Sequence, residues 1–351
     1  MNTNILEVKI NSITILKNLA RNLGVHIFEH IEDIAKLCIE QLLNDPYAMT
    51  IRKESTKCMR HLIEACREHP EKQRALFMMT YVRLMEEMAK RQKQAEFEAM
   101  NFILKMIFKM TESFKGFKKN GMTVFNVEDG TLFVKNMDNI VKQIVESNSA
   151  REAQVTKLAG KIDEEDMQFF QEDIEKISKG IHHVMEISGF LLQNMGAAIS
   201  GVIATTLLPY YASVLQNLPG KKDYQLISSV CFVCDCLEYG DDSLYNTLQA
   251  QASSKFVEII KNAVSKGIKN VNFDIVQSCF FGLGLVAQRQ PNGQFGELAE
   301  TMDIFSQLTN PQVKQSISEE QEESFNFMFD NAISSMVKVL MFQQDGGKLV
   351  T

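Results

Sequence analysis

The sequence predicts an all-α protein in which one helical unit recurs along most of the chain. Two observations support this prediction. Apolar side chains recur at the spacing of a helix face in seven places, and no stretch alternates apolar and polar residues for long enough to form a sheet. The composition agrees, because only 6 of the 351 residues are proline and 45% are hydrophobic.

The clearest copy of the unit lies in residues 272–290. Four of its apolar residues follow the spacing i, i+4, i+7 and i+11, which places them on one face of a helix. They are Val276, Phe280, Leu283 and Ala287. Either Asn272 or Asp274 is placed to cap the first turn, and residues 291–293 (Pro-Asn-Gly) give a turn signal after the helix.

The other copies follow in chain order. The first predicted helix spans residues 5–22 and the second spans 26–43. The first has an apolar face formed by Val8, Ser12, Ile15 and Leu19. A third helix, 50–66, repeats the face with Ile51, Ser55, Cys58, Met59, Leu62 and Ala65. Later copies begin at Ala95, Ile177, Leu226, Val276 and Phe325. Between them, residues 128–130 are placed to cap a long helix from Thr131 onward.

The spacing of these copies predicts the architecture. The faces begin at positions 8, 51, 95, 177, 226, 276 and 325, so the intervals are 43, 44, 82, 49, 50 and 49 residues. A period of roughly 40–50 residues is typical of HEAT and armadillo repeats, which stack helical pairs into a right-handed solenoid. We therefore expect about seven pairs, with repeats in 1–119 and 177–351, and a long helix with an acidic insertion in 120–176.

One stretch admits a different interpretation. Residues 187–220 contain no charged side chain, and uncharged runs of this length are typical of membrane-spanning helices. The polar residues within the run, the Leu208-Pro209 break and the continuing repeat period favour instead the buried centre of a solenoid. We therefore expect no membrane span.

The seven cysteines suggest buried thiols rather than a metal site. Their number is odd, and they lie within apolar helical stretches, as expected for reduced cysteines of an intracellular protein. Cys231, Cys234 and Cys236 are close in sequence, but a structural zinc ion requires four ligands and no second pair follows. The sequence also lacks the common motifs of nucleotide binding, hydrolysis and calcium binding. We expect neither a cofactor nor an enzymatic activity.

Charge is distributed unevenly along the chain. Residues 52–119 carry sixteen Lys and Arg against nine Asp and Glu, whereas residues 120–351 carry seventeen against twenty-nine. The acidic part favours basic partners and disfavours nucleic acid, whose phosphates it would repel.

Several of the copies resemble repeats of the importin-beta (karyopherin-beta) superfamily. Residues 51–66 resemble one of its HEAT B-helices, and the run Gly-Leu-Gly-Leu-Val-Ala-Gln at 282–288 resembles another. Residues 208–211 with 231–238, and then 329–339, resemble further repeats. Their order and spacing are similar to the C-terminal half of a karyopherin-beta-3 type of nuclear import receptor.

This resemblance implies a function in nuclear import. The chain would bind basic nuclear cargo and nucleoporins without catalysis, in the cytoplasm and the nucleus. The repeats that bind the small GTPase Ran lie N-terminal to the matched part in that family, so Ran binding is not expected of this chain alone. The alternative is a HEAT solenoid that serves as a structural subunit of a larger assembly.

Acidic side chains are the candidate cargo-binding residues, because they complement basic segments. The resemblance places the first group in the acidic segment that this type of receptor carries between repeats. Both groups also fit a purely structural explanation, in which they are solvated surface charges or charges at a helix start. The candidates are Asp163, Glu164, Glu165, Asp166, Glu172 and Asp173 in the insertion, with Asp235, Glu238, Asp241 and Asp242 near the repeat at 226.

Overall fold

The computed structural model of the protein describes residues 3–44, 49–94, 96–114, 124–158, 164–218, 222–265, 267, 270–289 and 296–342. Every regular element within these ranges is a helix, which confirms the all-α prediction. The chain divides into two compact units, residues 1–130 with 141–190 and residues 131–140 with 191–351. The predicted start at Ala95 and the predicted turn at 291–293 lie outside the described residues.

Five α-helices in the described ranges lie entirely in the first unit. They are α1 (Thr3–Leu23), α2 (Ile31–Asn44), α3 (Met49–Ala65), α4 (Pro70–Lys93) and α5 (Phe97–Thr111). Helix α3 packs against α1, α2 and α5, while α4 packs against α2 and α5. Two 32-residue helices, α6 (Val127–Leu158) and α7 (Glu164–Met195), contribute residues to both units.

Eight α-helices in the part of the second unit that the structure describes lie entirely within that unit. They are α8 (Ala197–Thr205), α9 (Leu207–Gln216), α10 (Asp223–Tyr239), α11 (Asp242–Ser265), α12 (Phe273–Arg289), α13 (Leu298–Leu308), α14 (Pro311–Gln315) and α15 (Glu319–Phe342). Helix α12 packs against α10, α11 and α15, and α11 also packs against α8 and α13.

The predicted apolar faces of α3 and α12 are buried. On α12, Val276, Phe280, Leu283 and Ala287 are all 0% exposed. On the predicted face of α3, Ala65 is half-buried, and the residues that are 0% exposed are Ile51, Ser55, Cys58, Met59 and Leu62. Helical periodicity therefore identified the side of each of these helices that packs against its neighbours.

Helix α1 corrects the prediction for the first copy. Val8 and Ile15 of its predicted packing face are 65% and 59% exposed, while Ile13 and Ala20 on the opposite side are buried. An ion pair between Lys17 and Glu54 of α3 lies on the buried side and fixes this orientation. The spacing of apolar residues identified a helix face correctly but did not determine which face the neighbouring helix covers.

Two helix starts also differ from the prediction. Helix α6 begins at Val127 rather than at Thr131, because Asn126 and Asp129 cap its first turn. The Asn126 Oδ1 accepts from the Asp129 N–H at 2.8 Å, and the Asp129 carboxylate accepts from the Asn126 N–H at 3.2 Å. Helix α2 begins at Ile31, after a short 3₁₀ turn that starts at Gly24, whose φ of +52° suits glycine.

The uncharged stretch forms the end of α7 and helices α8 and α9. Its break falls at Thr206, and Pro209 lies in the first turn of α9, where its missing N–H removes no helical hydrogen bond. Tyr211 is fully buried and its ring stacks on Phe232 with centroids 4.3 Å apart. Among the described residues no single helix is long and apolar enough to span a membrane; α8 and α9 pass that test only together, across a bend of 60°.

Candidate functional site

The acidic insertion places some of its carboxylates at the start of α7. Asp163 lies outside the described residues, and of Glu164 and Asp166 only the helical backbone is described. Glu165 is exposed in the first turn of α7. A negative charge at this end of a helix is favoured by the helix dipole, so Glu165 has a structural explanation as well as a binding one.

Glu172 and Asp173 are adjacent in sequence but have different surroundings. Asp173 forms an ion pair with Arg151 of α6, and both side chains are half-buried. Its charge therefore joins two helices of the first unit. Glu172 is exposed and accepts a hydrogen bond from the Gln168 Nε2 at 3.1 Å, so its carboxylate faces solvent and is accessible to a partner.

Asp235 is a half-buried carboxylate in the last turns of α10. Burial, together with the smaller effect of the neighbouring Glu238 carboxylate, raises the pKa of Asp235 to about 7. Near neutral pH it is therefore only partly charged, which weakens it as a constitutive contact for a basic segment. Glu238 itself is exposed and contacts the Tyr239 hydroxyl.

Asp241 and Asp242 hold the start of α11. The Asp241 Oδ1 accepts from the Leu244 N–H at 2.8 Å, which is the geometry of a helix N-cap. Asp242 accepts a hydrogen bond from Arg289 of α12 at 3.0 Å. The first contact caps α11, and the second joins α11 to α12.

Asp274 is an acidic residue that the sequence analysis treated only as a possible cap. The cap of α12 is Asn272, whose Oδ1 accepts from the Asp274 and Ile275 N–H groups at 3.2 and 3.4 Å. The Asp274 side chain is exposed. Burial is the main cause of the raised pKa of Cys231, and the Asp235 and Asp274 carboxylates add to it. Asp274 therefore adds an exposed carboxylate on α12, which packs against α10 in the second unit. In the sequence, its position beside Asn272 at a helix start suggested only a helix cap.

Two of the three clustered cysteines contact the same residue of α12. The Cys231 Sγ donates to the Ser278 hydroxyl at 3.6 Å, and the Cys234 Sγ donates to the Ser278 carbonyl oxygen at 3.5 Å. Burial raises the pKa of Cys234 and Cys236 well above the ordinary value for a thiol. Both are therefore neutral thiols near neutral pH.

Comparison of the sequence with models of known protein families and with curated proteins gives no match. By its structure, the chain belongs to the class of all-α proteins, and it has exposed carboxylates on its helix surfaces.

Proposed function

We propose that the chain is a HEAT-repeat solenoid, similar to a nuclear transport receptor, that binds basic protein segments without catalysis. The packing of alternate helices is the observation that supports it. In the first unit α3 packs between α1 and α5, and α2 packs against α4. In the second unit α12 packs between α10 and α15, and α11 against α13. Stacked helical pairs place alternate helices in contact in this way.

The exposed carboxylates give this solenoid its binding chemistry. Glu165 and Glu172 in the first unit, and Glu238 and Asp274 in the second, form no ion pair among the described residues. Charge complementarity would bring a Lys- and Arg-rich segment to such a surface and speed its association. The proposed cargo is therefore a basic nuclear protein, with nucleoporins as further partners and with action in both cytoplasm and nucleus.

The test is binding of a fluorescent Lys- and Arg-rich peptide to the full chain at increasing salt. We expect Glu165→Gln with Glu172→Gln, and separately Glu238→Gln with Asp274→Asn, to weaken binding by roughly 2- to 10-fold per pair. The matched control is Glu29→Gln with Glu32→Gln, which removes two exposed charges elsewhere. Equal affinity for all four proteins at physiological salt would refute the electrostatic mechanism. Import of the peptide fused to a fluorescent protein into nuclei of permeabilised cells tests the transport role.

The second candidate function is a structural subunit of a larger assembly. The exposed apolar face of α1 favours it, because large apolar side chains exposed together mark contact surfaces. Isolation of the chain from its source in a fixed stoichiometry with one stable complex, and without affinity for the basic peptide, would support this function over cargo binding.

A further inference from the structure

Helix α15 exposes one continuous face. Its opposite side is buried through Phe325, Met328, Ala332, Met336 and Val339, against α12 and α13. Close packing fixes this orientation, because a Cβ added at Gly284 of α12 would lie 3.1 Å from the Ser335 side chain. The exposed face therefore cannot turn inward to join the core.

The exposed face has two chemically different halves, and we name it the α15 face. The half toward the helix N-terminus is acidic and polar, and consists of Glu319, Glu322, Glu323, Asn326 and Asp330. The other half is apolar, and consists of Ile333, Val337 and Met341. Phe327 lies within the acidic half and is 57% exposed, and Met341 in the apolar half is 73% exposed.

The side chains of the acidic half border a shallow, open depression on α15. It is lined by Glu319, Glu322, Glu323, Asn326, Phe327 and Asp330. None of its four carboxylates forms an ion pair with another residue in the described part of the chain. An exposed aromatic ring beside free carboxylates suits a Lys or Arg side chain, whose charge pairs with the acids and whose stem packs on the ring.

Charge determines which occupant fits the α15 face. A second copy of the same face would bring four like charges against four others or against its apolar half. The exposed face of α1, formed by Ile5, Val8, Ile15 and Leu19, carries no charge, so it would bury the α15 carboxylates unpaired. Burying an unpaired charge is costly. Neither the α15 face nor the exposed α1 face of a second copy is therefore a suitable partner.

We propose that the α15 face is a docking surface for an amphipathic helix of another protein, with Lys or Arg side chains near one end and large apolar side chains near the other. The centres of the two halves, Glu323 and Val337, are fourteen residues apart, which corresponds to about 21 Å along the helix axis. A helical partner spans the same distance in about four turns. This proposal rests on α15 alone and does not depend on the function proposed above.

The test uses a synthetic helical peptide of that design, labelled for fluorescence anisotropy, and the full chain at 150 mM salt. We expect Glu319→Gln, Glu322→Gln and Glu323→Gln together to weaken binding by roughly 10-fold and to flatten its salt dependence. Ile333→Ser with Val337→Ser weakens binding as well, but leaves the salt dependence intact. A matched control, Glu7→Gln with Glu29→Gln and Glu32→Gln, removes three exposed charges elsewhere and stays within 2-fold of the unaltered chain.

Three outcomes would overturn the proposal. One is equal binding by the α15 triple variant and the matched control. Another is binding by a control peptide that carries Glu in place of its basic residues. The third is concentration-dependent dimerisation of the chain that the α15 substitutions abolish, which would assign the face to a second copy. The variant with Glu165→Gln and Glu172→Gln should bind this peptide as the unaltered chain does. A negative result for the α15 face is therefore distinguishable from a negative result for the proposed cargo-binding carboxylates.

Discussion

The guanidinium carbon of Arg289 lies 4.4 Å from the centre of the Tyr245 ring, so the last residue of α12 covers the start of α11. The same guanidinium donates hydrogen bonds to the carbonyl oxygens of Leu237 and Gly240, at 2.5 and 3.3 Å. The Tyr245 hydroxyl donates to the Val286 carbonyl at 2.8 Å. One arginine therefore ties together the end of α10, the start of α11 and the end of α12.

Replacing Arg289 tests this arrangement. We expect Arg289→Met to lower the free energy of unfolding by about 2 kcal/mol, because it removes the contact with the Tyr245 ring and the hydrogen bonds to two carbonyl oxygens. Asp242→Asn removes only the ion pair of a carboxylate that is 95% exposed, and should have a far smaller effect. Urea unfolding of both variants measures the difference. Equal losses of unfolding free energy would mean that the ion pair with Asp242, and not the hydrogen bonds to the two carbonyl oxygens, stabilises this junction of α10, α11 and α12.

Gly282 of α12 is a position where any larger residue is crowded. A Cβ there would lie 2.3 Å from the Phe256 Cε2 and 2.9 Å from the Cys234 Sγ. Gly282→Ala should therefore lower the free energy of unfolding by about 1–3 kcal/mol, despite the better helix propensity of alanine. The measurement is again urea unfolding at constant pH. An unchanged or raised stability would show that Phe256 moves aside freely.

Gly201 of α8 provides the matched control, because a Cβ there would meet nothing within 4 Å. We expect Gly201→Ala to raise the free energy of unfolding by about 0.5–1 kcal/mol, since alanine restricts the unfolded chain and favours the helix. The two glycine substitutions should therefore have opposite signs in the same assay.

Comparison of α12 with α1 shows how much of the fold the sequence predicts. The face at Val276 and Phe280 is buried as predicted, because an α12 surrounded by three helices has to bury its most apolar side. The face at Val8 and Ile15 is exposed, because α3 packs against the side of α1 that carries Ile13. Periodicity reveals an amphipathic helix, whereas its rotation depends on neighbours distant in sequence.

The surroundings of the candidate site residues are harder to predict than the helices, because they too depend on neighbours distant in sequence. The sequence shows that a residue is acidic, but not whether its carboxylate already forms an ion pair or caps a helix. Asp173 pairs with Arg151, which is 22 positions earlier, and Asp241 caps its own helix. Asp274 was considered only as a possible cap, because its exposure depends on how α12 packs against α10, α11 and α15. A local signal existed only for Asp241, since an aspartate before a helix start is a typical cap.

Asp235 predicts a pH dependence of stability. Its pKa in the folded protein is raised to about 7, whereas an unfolded chain has an aspartate pKa of about 3.9. The folded state therefore binds the proton more tightly, so this group destabilises the fold increasingly as the pH rises from about 4 to about 7, and no further above that. Asp235→Asn removes this effect. Its gain in unfolding free energy over the unaltered chain should be larger at pH 8 than at pH 5.

Glu238→Gln is the companion variant for this measurement. The Glu238 carboxylate is the second cause of the raised Asp235 pKa, so its neutralisation should lower that pKa and reduce the pH dependence only in part. Urea unfolding at four pH values between 5 and 8 resolves both effects. Parallel curves for the unaltered chain and Asp235→Asn would contradict the assignment of the titration to Asp235.

Asp241 and Glu238 are close in sequence, and the structure assigns them different roles. Asp241→Ala removes the acceptor for the Leu244 N–H at the start of α11, so it should lower the free energy of unfolding by about 1 kcal/mol. Asp241→Asn retains a capping oxygen and should restore most of that loss. Glu238→Ala, on an exposed position, should stay within about 0.5 kcal/mol of the unaltered chain. If Asp241→Asn instead weakened basic-peptide binding at unchanged stability, Asp241 would be a binding residue rather than a cap.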